Sequence, residues 1–122
     1  MPSSLHILIA EDHAAVRELL TTIIARTYPT CTITAVADGA EALAVYHERG
    51  ADFLITDYAM PIMTGLALTQ ALRAHQAILP IVVVSMNTAI AEAVLHAGAN
   101  RFLPKPFSLP ALQQILIDLL PP

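Results

Sequence analysis

Asp57 closes an apolar run in the stretch Leu54–Gly65, LITDYAMPIMTG, and a turn through Pro61 follows at once. A carboxylate at the end of a core strand is either a turn former or a reactive group, and its company along the chain decides which. Glu11 and Asp12 end a first apolar run, LHILIA; Ser85 ends a later one, PIVVVS; Lys105 follows a last one, RFL. Taken singly, each has an ordinary explanation. Asp12 would cap the helix that opens with HAAVRELL, Glu11 would lie on a solvated rim, Ser85 would cap a helix and Lys105 would be one more surface lysine. Taken together they bring three carboxylates, a hydroxyl and an ammonium to one place, provided the strand ends converge.

Convergence would be costly without a partner. Two carboxylates about 4 Å apart repel by about 4 kcal/mol at an effective dielectric of about 20. Three would offset a large part of the ~5–15 kcal/mol that stabilises a domain. Such a site either keeps a proton or binds a cation. Oxygen ligands suit a hard divalent ion, so Mg²⁺ is expected, with Mn²⁺ able to substitute. With the charge offset, Asp57 can act as a nucleophile toward a phosphoryl group and form an aspartyl phosphate. Lys105 then supplies a point charge to one phosphoryl oxygen and Ser85 a hydrogen bond to another.

The elements that would position these residues are legible in the pattern. Apolar runs at 5–10, 31–36, 52–57, 80–85 and 101–103 alternate with helix-like segments. Val16, Leu19, Leu20, Ile23 and Ile24 form an apolar helical stripe. Segment 38–49 turns Leu43 and Tyr46 inward and closes at Gly50; segments 64–75 and 87–97 follow. The last helix, about 107–120, has Ser108 and Pro110 as start signals and a stripe of Leu109, Leu112, Leu116, Leu119 and Leu120. Five βα units in sequence predict a doubly wound α/β sandwich, a (βα)5 fold around a five-stranded parallel sheet. Such sheets place their chemistry at the carboxyl ends of the strands, where Glu11, Asp12, Asp57, Ser85 and Lys105 all fall.

The chain of 122 residues, 56% hydrophobic and 13% charged, reads as one domain, 1–122, with no output domain. No apolar run approaches the ~20 residues of a membrane span, and no secretory signal opens the chain. The expected location is the cytoplasm. A formal charge of −4 with dispersed basic residues argues against direct nucleic-acid binding. Cys31 is expected as a small core hydrophobe, and the five histidines as solvated or lightly packed residues without metal-ligand spacing.

The segments ILIAEDH, LITDYAMPIMTG, PIVVVS and AGANRFLPKPF resemble a receiver domain of the two-component response-regulator family, over essentially the whole chain. The resemblance implies the flavodoxin-like strand order 2-1-3-4-5. It implies Glu11 and Asp12 as the acidic pair, Asp57 as the phosphoacceptor and Ala59 as a backbone-carbonyl ligand of the metal. Ser85 would be the switch hydroxyl, Phe102 the switch aromatic and Lys105 the phosphoryl-binding lysine, with a cis bond before Pro106. The donor would be a histidine kinase or phosphotransfer domain, and the chain would be a phosphoacceptor that assists its own transfer rather than an enzyme.

Departures from the family pattern carry their own expectations. Met86, bulky where a small residue is usual, would narrow access to the site. Phe102 stands in place of the commoner Tyr and cannot hydrogen-bond outward. Ala59 and Asn87 offer no charged group to orient water, which predicts a long-lived phosphoryl group. The fourth and fifth helices carry one charged residue each, Glu92 and Asp118, which predicts an exposed apolar face for a downstream protein or a second copy. Asn100-Arg101 precedes Phe102 where the winged-helix subfamily has an acidic pair, which argues against that subfamily's salt-bridged dimer.

Three alternatives are weaker. A haloacid-dehalogenase-like hydrolase needs a second Asp at the position of Ala59, and a flavodoxin-like cofactor protein needs a phosphate loop where Glu11-Asp12 stand. A pseudo-receiver, binding partners without phosphorylation, is favoured by Met86 alone. A receiver excised from a hybrid kinase or larger regulator would carry the same residues.

Overall fold

Along the central strands, neighbouring side chains part to opposite faces, and two separate cores result. The computed structural model describes residues 5–120. Its strands are β1 (His6–Ala10), β2 (Thr32–Val36), β3 (Phe53–Asp57), β4 (Ile81–Ser85) and β5 (Arg101–Pro104). Its helices are α1 (Ala14–Thr27), α2 (Gly39–Arg49), α3 (Gly65–Ala74), α4 (Ala91–Ala97) and α5 (Leu109–Leu119). Ile7, Ile9, Phe53, Ile55, Val82 and Val84 pack with Leu20 and Ile24 of α1 and Leu112, Ile115 and Leu116 of α5. Leu8, Ala10, Leu54, Ile81 and Val83 pack with Ala42 of α2, Leu68 and Leu72 of α3, and Val94 of α4. The period-two geometry of a strand makes this division, and coverage of both faces is why these runs are apolar throughout. Burying a side chain the size of Phe53 stabilises the fold by about 1.5–3 kcal/mol.

The five strands are parallel in the order β2-β1-β3-β4-β5, as the resemblance implies. Three helix starts are set by local chemistry. Asp38 accepts from Glu41 N at 2.8 Å, Thr64 from Ala67 N at 3.1 Å and Ser108 from Ala111 N at 3.1 Å. At the other end, α4 stops at Gly98 in the left-handed region (φ 118), where an added Cβ would meet the Arg73 side chain at 2.8 Å.

The structure differs from expectation in three places. Segment 87–97 is not one helix but a 3-10 turn, Thr88–Ile90, followed by the seven-residue α4. Asn87 accepts from Ala89 N at 3.1 Å, closing a tight turn before the helix begins. Cys31 lies one residue before β2, half-buried against the α1/α5 core, where burial raises its thiol pKa. It packs as a small hydrophobe, as expected. Leu109 is 49% exposed, so it contributes little to the α5 stripe. The cap that Asp12 would be if taken singly is not present, for the residue at the start of α1 is His13, and this leaves Asp12 free for the cluster.

Candidate functional site

Hydrogen bonding of the sheet type runs one residue past three of the strands, and this fixes the backbone under the site. Glu11 N donates to Val36 O at 3.0 Å, Tyr58 N to Val84 O at 2.9 Å and Lys105 N to Ser85 O at 2.9 Å. The strand ends that carry Glu11, Asp57, Ser85 and Lys105 therefore lie side by side, and the convergence the sequence requires is present. Lys105 Nζ is 2.9 Å from Glu11 Oε1 and 3.3 Å from Asp57 Oδ1. Ser85 is buried beside them, and its Oγ accepts from Asn87 N at 3.0 Å.

Glu11 lies in the cluster and not on the solvated rim it would occupy if taken singly: it is 1% exposed, and both of its oxygens are taken, Oε1 by Lys105 and Oε2 by His13 N at 3.1 Å. Its carbonyl accepts from Arg17 Nη1 at 2.7 Å, so α1 is tied to the end of β1. One methylene more than aspartate lets this side chain reach across to the lysine.

Asp57 is 6% exposed, and Tyr58 N donates to its Oδ1 at 3.0 Å. Burial raises its pKa, and the charge of Glu11 adds to the rise; Lys105 and the Tyr58 N–H oppose it without cancelling it. For Lys105, burial acts to lower the pKa, but the hydrogen bond to Glu11 and the nearby carboxylate charges outweigh it. The ammonium is held above its ordinary value. Glu11 and Asp57 thus share one charged lysine, and Asp12 lies in the same cluster.

Negative charge remains uncompensated, and one atom shows where. Asp12 Oδ1 is buried without a hydrogen-bond partner; His13 Nδ1 lies 3.4 Å away but outside hydrogen-bond geometry. A buried carboxylate oxygen with no donor is a defect unless a cation meets it. Donor atoms of Glu11, Asp12, His13 and Asp57 lie within 4.8 Å of one another. An oxygen-rich set with one orphaned oxygen fits a hard divalent ion such as Mg²⁺.

In front of the carboxylates is a cavity of about 260 Å³ lined by His13, Asp57, Tyr58, Ala59, Ser85, Met86, Asn87 and Lys105. Ala59 is exposed there, and Met86, 78% exposed, is part of the same lining. Pro106 follows a cis Lys105–Pro106 bond and lines an adjoining apolar groove of about 320 Å³ with Val16, Leu19, Met86, Lys105 and Phe107. Phe102 is not at the cavity. It is half-buried in the α2/α3/α4 core, opposite Val83 in the β4–β5 register.

Sequence reasoning missed His13 and Arg17. His13 follows the acidic pair directly, and that adjacency was its signal. Arg17 gave none, because its role depends on the angle at which α1 leaves β1. The other histidines lie away from the site: His6 bridges Gly50 O and Thr34 Oγ1, His47 and His75 meet edge-on at 4.9 Å on the surface, and His96 is exposed, in keeping with solvated or lightly packed residues.

Two residues of the β3–α3 loop carry predictions. A Cβ on Gly65 would lie 2.5 Å from Asp57 O, and Gly65 N donates to Tyr58 O at 2.9 Å. Gly65→Ala should lose about 1–3 kcal/mol by overpacking, and because it pushes on Asp57 it should also weaken divalent-ion binding. Parallel denaturant melts and ion titrations would show both losses. Ile62 sits at φ 71 and is 84% exposed, a left-handed conformation that a β-branched residue adopts at a cost of about 1–2 kcal/mol. Ile62→Gly should therefore be stability-neutral or stabilising, despite glycine's greater freedom when unfolded.

With this geometry in view, similarity to known proteins is informative. The chain is 37% identical over 111 residues to the response regulator MprA of Mycobacterium ulcerans, covering 89% of this chain and 47% of that protein. It thus spans about half the length of the curated relatives it matches. The chemotaxis response regulator CheY4 of Vibrio cholerae superposes with a TM-score of 0.86 at 26% identity, covering 96% and 99% of the two chains. The receiver domain of a Pseudomonas aeruginosa sensor histidine kinase, solved with a magnesium ion in its active-site cleft, superposes at 0.84 with 28% identity, covering 95% and 97%. Residues 7–117 match the family described as the response regulator receiver domain, and the parallel sheet with its acidic edge belongs to a member of that family of two-component signalling.

Proposed function

We propose that Asp57 accepts a phosphoryl group from a histidine kinase or a phosphotransfer protein and that its phosphorylation changes the surface around β5. The observation that carries this reading is the single cluster of Asp57, Lys105 and the unpartnered oxygen of Asp12 behind an open cavity.

Both Tyr58 N and Lys105 act on Oδ1 of Asp57, so Oδ2 is the nucleophile. Its bond to phosphorus forms as the phosphorus–nitrogen bond to the donor imidazole breaks, and the departing imidazole takes up a proton from solvent. Lys105, already charged, shifts from Glu11 toward a phosphoryl oxygen. Ser85 Oγ accepts from Asn87 N, which leaves its own O–H to donate to another. Glu11, Asp12, Asp57 and the Ala59 carbonyl would hold Mg²⁺, or Mn²⁺, which would supply positive charge for the incoming phosphoryl group. The donor docks over the apolar groove at Val16, Leu19 and Phe107, which shares Met86 and Lys105 with the cavity.

Output follows from Ser85 and Phe102 on adjacent strands. Movement of the hydroxyl toward the phosphoryl group opens space into which Phe102 turns. Leu95 on α4 and Ile117 on α5 are 45% and 64% exposed, and they offer an apolar surface to a downstream protein or a second copy. We read residues 1–122 as one cytoplasmic signalling module. Ala59 and Asn87 line the cavity without a charged group, so the phosphoryl group persists; a half-life of seconds in Mg²⁺ contradicts this.

The test is incubation with acetyl phosphate or phosphoramidate and Mg²⁺, followed by intact mass. One phosphoryl group is gained, and none when EDTA replaces the cation. No gain under either condition defeats the reading in favour of a phosphorylation-independent binding module.

A further inference from the structure

His13 has no part in the transfer described above, yet its ring lies in the acidic cluster. Nδ1 is 3.3 Å from Glu11 Oε2 and 3.4 Å from Asp12 Oδ1. One donor atom from each of Glu11, Asp12, His13 and Asp57 falls within 4.8 Å of the others. The placement has a backbone cause. His13 is the extended residue before α1 (φ −82, ψ 113), and its N–H donates to Glu11 Oε2 at 3.1 Å, which turns the ring back over the carboxylates. The ring satisfies the buried Asp12 Oδ1 with no hydrogen bond, although the two atoms are close. The Nδ1–H tautomer donates to Glu11 Oε2, whereas the Nε2–H tautomer leaves a lone pair on Nδ1 that faces the same space as Asp12 Oδ1, as ligands of one ion do.

We propose that His13 Nδ1 is a ligand of the cation site, beside Asp12 and Asp57, and that it biases the site toward ions that accept nitrogen over Mg²⁺. The proposal rests on the cation-binding reading above. Octahedral bonds of about 2.1 Å put adjacent donors roughly 3 Å apart and opposite donors roughly 4.2 Å apart, so the cluster closes on an ion by side-chain rotation alone. His13 is free to make that rotation, since its side chain is 73% exposed. Mg²⁺ keeps oxygen ligands and water, whereas imidazole suits the later divalent transition metals, whose affinities rise from Mn²⁺ through Co²⁺ to Ni²⁺. Glu11 cannot take this place readily, because Lys105 and the His13 N–H hold its two oxygens.

Calorimetric titration of the full chain with Mg²⁺, Mn²⁺, Co²⁺ and Ni²⁺, without any phosphodonor, compares the parent with His13→Ala and Asp12→Asn. His13→Ala should weaken Co²⁺ and Ni²⁺ by about tenfold or more while changing Mg²⁺ by less than about twofold. Asp12→Asn should weaken all of them. Electron spin-echo modulation of the Mn²⁺-loaded parent should show a directly bound ¹⁴N that His13→Ala removes. Normal Mg²⁺ binding with no ¹⁴N coupling, or an equal loss for every ion in His13→Ala, overturns the proposal and leaves the phosphoacceptor reading standing. Failure to bind any divalent ion overturns both.

Discussion

Asp57→Asn should take up no phosphoryl group from acetyl phosphate and, in EDTA at neutral pH, should unfold at a higher temperature than the parent. Loss of uptake follows from loss of the carboxylate nucleophile, and the amide is otherwise close in shape. The gain in stability follows from burial. Asp57 is 6% exposed, and its pKa is raised by burial first and by Glu11 second, despite Lys105 and the Tyr58 N–H. A raised carboxyl pKa means that the folded chain holds this proton to a higher pH than the unfolded chain does. Between the two pKa values the folded state binds more protons, so Asp57's contribution declines as pH rises through that window. Above it, the full cost of the buried charge remains, and asparagine removes it. Lys105 keeps its 2.9 Å bond to Glu11 in the variant, so the ammonium is not orphaned.

Thermal melts of the two proteins from acid to neutral pH should therefore coincide at the acid end and separate as pH rises. Added Mg²⁺ should narrow the gap from the parent's side. An ion at a hundred times its Kd stabilises the protein that binds it by about 2.7 kcal/mol. A variant that melts below the parent in EDTA at pH 7, or that still gains a phosphoryl group, removes Asp57 from the centre of the site.

Lys105→Ala has the opposite sign. Without the ammonium, Glu11 at 1% exposure and Asp57 at 6% face each other with no positive partner. Removing one member of a buried ion pair costs about 3–5 kcal/mol. Lys105 is itself 17% exposed, so the lower end, about 3 kcal/mol in the absence of divalent ions, is expected. Mg²⁺ should restore more stability to this variant than it adds to the parent, because the ion supplies the charge that was removed. Phosphoryl uptake should remain slow even in Mg²⁺, by about a hundredfold, as for loss of one preorganised charge-stabilising donor. Denaturant titrations with and without Mg²⁺, and initial rates of uptake by intact mass, measure the two effects. Equal Mg²⁺ stabilisation of parent and variant would show that lysine and cation do not share a field.

Much of this is legible in the chain itself. The runs at 52–57 and 80–85 are apolar throughout because helices cover both faces of β3 and β4, and that same continuity made the polar residues at their ends conspicuous. Ser108 announced a helix start through a bond that spans three residues, the same bond that Asp38 and Thr64 make at the heads of α2 and α3. The 3-10 turn at Thr88–Ile90 was hidden because Asn87 competes with the helix through a side-chain bond whose energy resembles that of the helical turn it replaces.

What the sequence by itself determined was the order of elements and the kinds of group at each strand end, since both depend on local periodicity and on contacts close along the chain. Only the tertiary structure decided how those groups are paired. Glu11, ninety-four residues from Lys105, is its partner at 2.9 Å, while Asp12, next door, is left with a bare oxygen. A pairing of that kind depends on the register of β1 and β5 across the intervening strands and on the reach of one extra methylene. Neither leaves a trace in spacing, because Coulomb and hydrogen-bond energies depend on distance in space and not on separation along the chain.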